Sequence, residues 1–179
     1  MLSTENTLLL LIDFQVRLMP AISNHEELAE KTETMIRGCR LLDVPILTTQ
    51  QYTKGLGDTL PALKDALGEF KEIEKITFSC CGNPEFNAKL KETGRKNIIV
   101  TGVEAHICVQ QTVLDLLDNG YSVYVIADCI GSRYAKDLAC AETRMQQSGA
   151  ILTTMESVLF EFLVSADHPK RKEISNLVK

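Results

Sequence analysis

The chain has 179 residues, of which 45% are hydrophobic and 24% charged, with 10 glycines, 5 prolines and no tryptophan. Those proportions exclude a disordered or low-complexity chain and suffice for one hydrophobic core. A formal net charge of −5 has the wrong sign to meet a phosphate backbone, so nucleic acid is not an expected partner.

No basic stretch precedes the apolar run Leu8–Ile12. That run is too short to cross a bilayer and ends at Asp13, so it reads as a buried strand, and no membrane association is expected. Glu26–Asp43 carries Leu28, Met35, Ile36, Cys39 and Leu42 at three- and four-residue steps, the stripe of a helix lying on a core. Val44–Thr49 reads as a strand with Pro45 near its start. The stretch 56–70, broken by Gly57, Pro61 and Gly68, predicts a loop and a short helix, and Phe70–Ile76 a further strand. Asn83-Pro84 opens a helix to Thr93, and Gly94 ends it. Asn97–Thr101 is a strand, Ala105–Asn119 a helix closed by Gly120, and Tyr121–Ala127 another strand. Ser132–Ser148 predicts a helix with Tyr134, Leu138, Ala141 and Met145 on its buried face. Ala150–Thr154 is the last strand, followed by helical segments at Glu156–Val164 and Pro169–Val178.

Apolar strands alternating with amphipathic helices indicate a parallel sheet covered on both faces. The expected organisation is one α/β domain over residues 1–179. The six cysteines, with no export signal, do not read as a disulfide framework. Most are expected to be buried apolar residues of a cytoplasmic protein.

In an open parallel sheet, reactive groups gather where strands end. Asp13, Lys75 and Cys108 occupy three such ends. Each alone has a plain structural account: a turn-capping aspartate, a solvated lysine flanked by Glu72 and Glu74, a core thiol. Together they form a nucleophile, a proton acceptor and a cation suited to attack on a carbonyl carbon. A cysteine in the first turn of a helix also feels backbone N–H groups, which favour the thiolate and can hold an oxyanion, while a nearby aspartate raises its pKa and leaves a proton to share.

Three motifs carry a resemblance over nearly the whole chain: Leu11-Ile12-Asp13-Phe14-Gln15, Lys75-Ile76-Thr77-Phe78-Ser79, and Thr101-Gly102-Val103-Glu104-Ala105-His106-Ile107-Cys108-Val109. In this order they resemble the isochorismatase-like cysteine hydrolases, which include nicotinamidases and N-carbamoylsarcosine amidases. Gln51-Tyr52-Thr53-Lys54-Gly55-Leu56-Gly57 and the turn before Cys108 are nearer to the uncharacterised isochorismatase-domain branch. The resemblance implies a three-layer α/β/α sandwich around a six-stranded parallel sheet of order 3-2-1-4-5-6. It implies a catalytic triad of Asp13, Lys75 and Cys108, a cis peptide at Val103–Glu104, and an oxyanion hole from the backbone N–H groups of Glu104 and Cys108. Asp13 would take the thiol proton and pass it to the leaving group, Lys75 would stabilise the charges, and a Cys108 thioester would be hydrolysed. The expected activity is cleavage of a small-molecule C–N bond.

The sequence departs from nicotinamidases in one respect. Their Asp-x-His…His metal cluster corresponds to Thr48–Thr53 here, and His25, His106 and His168, the only histidines, lie elsewhere. No metal and no cofactor are therefore expected. His106, two residues before Cys108 on a helix, points away from the thiol and reads as structural or pocket-lining. Cys80-Cys81 lacks metal-ligand spacing, and Lys170-Arg171-Lys172 reads as a solvated face. Leu18, Tyr52, Phe78, Val103 and Ile107 are the expected walls of a small substrate pocket. The apolar stretch 158–164 is rich enough to predict a homo-oligomer interface. Two other readings remain at this point: a thiol redox protein using Cys108, and a catalytically silent oligomeric binding protein.

Overall fold

A computed structural model describes residues 2–179. Six strands, β1 (Thr7–Ile12), β2 (Ile46–Gln51), β3 (Ile73–Lys75), β4 (Asn97–Val103), β5 (Ser122–Gly131) and β6 (Ile151–Thr153), form one parallel sheet in the order β3-β2-β1-β4-β5-β6. Helices cover both faces: α1 (His25–Leu41), α2 (Thr53–Leu56), α3 (Pro61–Leu67), α4 (Pro84–Glu92), α5 (Gln110–Asp118), α6 (Ala135–Gln147), α7 (Met155–Leu163) and α8 (Arg171–Leu177). This is the expected fold class and strand order.

The central strand β1 explains the two-sided burial. Leu9 and Leu11 join a core with Met35 and Ile36 of α1, Leu63 of α3 and Leu159 of α7, while Leu8, Leu10 and Ile12 join a second core with Phe86 of α4, Val113 of α5 and Met145 of α6. All five are wholly buried, each contributing about 2 kcal/mol by removal from water. Among the described residues no helix is long and apolar enough to cross a membrane.

Several boundaries differ from the sequence reading, and the differences cluster at the C-terminal ends of the strands. β2 runs through Gln51 instead of stopping at Thr49, because Gln50 and Gln51 pair with Glu74 and Lys75 of β3. β3 keeps only three residues of the predicted seven. The helix predicted from Ala105 begins as a wider π turn, Ala105–Val109, with the Val109 N–H donating to Glu104 O at 3.3 Å, and becomes α-helical only at Gln110. α6 starts at Ala135, three residues later than predicted, because Ser132 and Arg133 bind His106 and Glu104. Tyr134 thereby falls before the helix and is 66% exposed instead of lying on its buried face. In the apolar stretch near the C-terminus, Val158, Leu159, Phe162 and Leu163 of α7 are buried in this chain's own core, while Phe160 and Val164 remain exposed.

Gly102 lies on β4, one residue before the turn that carries the site. Its φ is +141°, and a Cβ there would stand 2.5 Å from Ile12 O of β1. Gly102→Ala is expected to cost about 3 kcal/mol, combining disfavoured backbone with a clash against a paired strand. A lower urea midpoint at unchanged m-value is the readout.

Candidate active site

β1, β2, β3 and β4 end side by side, and each delivers a polar group to one buried point. Asp13 follows β1 with φ +59°, a left-handed conformation that aspartate tolerates better than most residues. Lys75 ends β3, two strands away, a span of about 10 Å that the lysine and aspartate side chains close between them. Its Nζ lies 2.7 Å from Asp13 Oδ2, and both side chains are wholly buried. Cys108, on the π turn after β4, is 6% exposed and lies near enough to the Asp13 carboxylate and the Lys75 ammonium to feel both charges. The structure thus brings Asp13, Lys75 and Cys108 together.

All the donor capacity of Lys75 is engaged. It donates to Asp13 Oδ2 (2.7 Å), to Gln51 Oε1 (2.7 Å), and to the carbonyls of Phe78 (3.0 Å) and Thr77 (3.3 Å). The segment after β3 is pinned in turn to α5, the helix that continues from Cys108. Ser79 Oγ donates to Asp115 Oδ2 at 2.5 Å, the Cys80 N–H donates to Thr112 Oγ1 at 3.0 Å, and Thr112 Oγ1 donates to Cys108 O at 2.7 Å. Gln15 secures β2 from the other side, accepting from the Gln51 N–H at 2.7 Å and donating to Gln51 O at 3.0 Å.

Burial dominates the proton affinities. It pushes the Cys108 thiol up to about 12, reinforced by the Asp13 charge and opposed by Lys75. Of the two opposing influences expected on the thiol, the helix-start N–H groups and the aspartate charge, the aspartate acts with burial, and the resting thiol keeps its proton. Burial also raises Asp13, against the downward pull of Lys75 and Thr49. For Lys75 burial acts downward, but the Asp13 carboxylate together with Cys80 and Cys108 outweighs it and the pKa rises.

The remaining expected site residues are dispersed around this point. The Val103–Glu104 peptide is cis. The Glu104 side chain turns aside, accepting from Arg133 N and Nε, both at 3.0 Å. His106 Nδ1 lies 2.9 Å from Ser132 Oγ, with Nε2 3.9 Å from Asp137 Oδ2. Val103 is wholly buried in the α1-side core and Leu18 packs against that core, while Ile107 packs against the α5-side core and Tyr52 and Phe78 stay exposed. Thr49, Gln51, Thr112 and Asp115 had not been singled out. A signal existed for two of them: Thr48-Thr49-Gln50-Gln51 is a polar run where a buried parallel strand should be apolar.

These residues do not fit the metal cluster of nicotinamidases. Gln51 Oε1 faces an ammonium at 2.7 Å, and Gln50 Nε2 donates to Asp58 Oδ1 and Thr59 Oγ1. Amides engaged in this way, beside a lysine cation, are a poor donor set for zinc or iron.

A model of the isochorismatase domain matches residues 7–157. The chain belongs to the isochorismatase family. Isochorismatase family protein 1B of Dictyostelium discoideum is 36% identical, over 98% of this chain and 87% of that protein. Isochorismatase domain-containing protein 1 of Danio rerio is 37% identical over 99% of this chain, which spans only 62% of that relative's length; for the Salmo salar protein of the same name the share is 59%. Among solved structures, one described as MAR1 ribonuclease from Caenorhabditis elegans is 38% identical, with a TM-score of 0.93 over 99% of this chain and 91% of that one. The isochorismatase fold of this chain is that of a hydrolase family.

Replacing Lys75 by Met should cost about 3–5 kcal/mol at pH 7, because a buried carboxylate loses its cation. Asp13, already raised by burial, then loses a partner that holds its pKa down. A raised carboxyl destabilises the fold once it ionises, so the deficit should shrink as pH falls from 7 to 5. Urea midpoints for Lys75→Met across that range check the sign.

Proposed function

We propose that the protein is a metal-independent cysteine hydrolase cleaving the C–N bond of a small amide. The observation that carries this reading is the wholly buried Lys75–Asp13 pair at 2.7 Å, with the Cys108 thiol near enough to feel both of its charges. Moving the thiol proton to Asp13 transfers negative charge from carboxylate to sulfur while the ammonium remains. The site holds one cation and one anion before and after, so the step adds no net buried charge. The thiolate then attacks the substrate carbonyl, and the N–H groups of Glu104 and Cys108 receive the oxyanion. Asp13 returns the proton to the leaving nitrogen, and water, deprotonated by the freed carboxylate, cleaves the thioester to regenerate the thiol. Lys75, with its N–H groups already engaged, acts by charge and not as a proton donor.

The Caenorhabditis elegans relative bears the name of a ribonuclease, so RNA belongs in the assay as the competing substrate. A phosphodiester needs cationic donors free to meet its oxygens, and Lys75 has its own engaged. We also infer self-association, through Tyr52, Ile76 and Phe78, which follow adjacent strands and remain exposed. A sedimenting species of only about 20 kDa would remove that inference.

Incubation with a panel of small amides should give a Cys108 acyl adduct by intact mass and peptide mapping. Cys108→Ala should lower turnover by at least about a thousandfold while leaving the circular dichroism spectrum unchanged. Full activity in that variant, or RNA cleavage that it retains, would end the proposal of a cysteine amidase.

A further inference from the structure

We infer that Thr49 is a positioning residue for the base, its hydroxyl fixing the Asp13 carboxylate in the orientation from which it exchanges a proton with Cys108. The inference rests on the cysteine mechanism above and adds a group outside the triad. Thr49 is wholly buried on β2, paired with Ile12, the residue before the base. It grips Asp13 at two points: its carbonyl accepts the Asp13 N–H at 3.2 Å, and its Oγ1 donates to Asp13 Oδ1 at 2.8 Å.

The direction of the hydroxyl is also determined. The Cys80 thiol, wholly buried on the far side, donates to Thr49 Oγ1 at 3.8 Å. A threonine hydroxyl has one proton and two lone pairs. With a donor occupying its acceptor side, its proton is left to Asp13. The two carboxylate oxygens are thereby told apart, Oδ1 holding Thr49 and Oδ2 holding Lys75. Neither neighbour lets the group rotate, so the direction in which it meets the thiol is fixed.

The titratable and charged groups facing Asp13 are Lys75 from β3, Cys108 from the π turn, and Cys80 from the segment after β3. Among these, only Cys80 communicates with Asp13 through Thr49. The Thr49 hydrogen bond favours the ionised carboxyl. Its removal should leave Asp13 protonated to higher pH and, below that point, unable to accept the thiol proton. The acid limb of Cys108 reactivity should therefore move toward higher pH.

The test follows alkylation of Cys108 by iodoacetamide, read by peptide mass so that exposed Cys140 is counted apart, between pH 5 and 9 as chosen assay limits. Thr49→Val keeps the branched shape and removes the hydroxyl. It should lower the rate constant on the acid limb about tenfold, the loss of one hydrogen bond to a charged group, and shift that limb to higher pH. Thr49→Ser should restore the wild-type profile, and Cys80→Ala, which frees the hydroxyl to turn, should shift the limb the same way by less. If Thr49→Val does not fold, Cys80→Ala and Thr49→Ser read the same hydroxyl from either side. A reactive Cys108 with one unchanged profile in every folded variant overturns the role of Thr49 alone, as does a Thr49→Ser profile displaced while Cys80→Ala leaves it in place. A wild-type Cys108 inert to iodoacetamide at every pH overturns the cysteine mechanism, and this role with it.

Discussion

The ion pair between Lys75 and Asp13 is the constraint around which the rest is arranged. Two unit charges wholly out of water are tolerated only with close geometry and partners for their remaining donors and lone pairs. Both conditions place demands on distant parts of the chain. Gln51, Thr77 and Phe78 must present oxygens to the ammonium, and Thr49 must present a proton to the carboxylate. Those demands explain why β2 carries Thr49 and Gln51 near its C-terminal end, although a parallel strand covered on both sides is normally apolar.

The pair also ties the halves of the sheet together. β3 lies at one edge and β4 beyond β1, with two strands between them. Lys75 reaches Asp13 at the end of β1, while Ser79 and Cys80, following β3, bind Asp115 and Thr112 of the helix that continues from Cys108. Cys108 and Lys75 are therefore held by the same few hydrogen bonds. A shift of the segment after β3 would displace both together.

Fold class was legible because it depends on hydrophobic periodicity, which the chain displays from Leu8 to Met145, whereas the strand order was implied by the family resemblance that the three motifs carry. The three reactive residues were legible as well, since each occupies a strand end within a local motif. Less visible was whatever depends on pairing between residues far apart in the sequence. Gln15 and Gln51 are 36 positions apart, and neither residue alone announces that one secures the other. The late start of α6 has the same origin: Ser132 and Arg133 have ordinary helical character but are drawn off by His106 and Glu104, 26 and 29 positions earlier. Which of the opposing influences on the thiol prevails was hidden for a related reason. The turn around Cys108 can be read locally, but the burial that raises its proton affinity comes from elements elsewhere in the chain.

The backbone at the end of β1 has a consequence for what this position can ever hold. A φ of +59° admits glycine freely and asparagine or aspartate with modest strain, while branched and bulky side chains are turned away. Of those three, one alone ionises. The chain's path as it leaves the sheet therefore favours the residue that the proposed chemistry requires, before any substrate is considered. Under that proposal, a drift to asparagine would keep the shape and silence the proton exchange, so an inert copy stands one nucleotide change away.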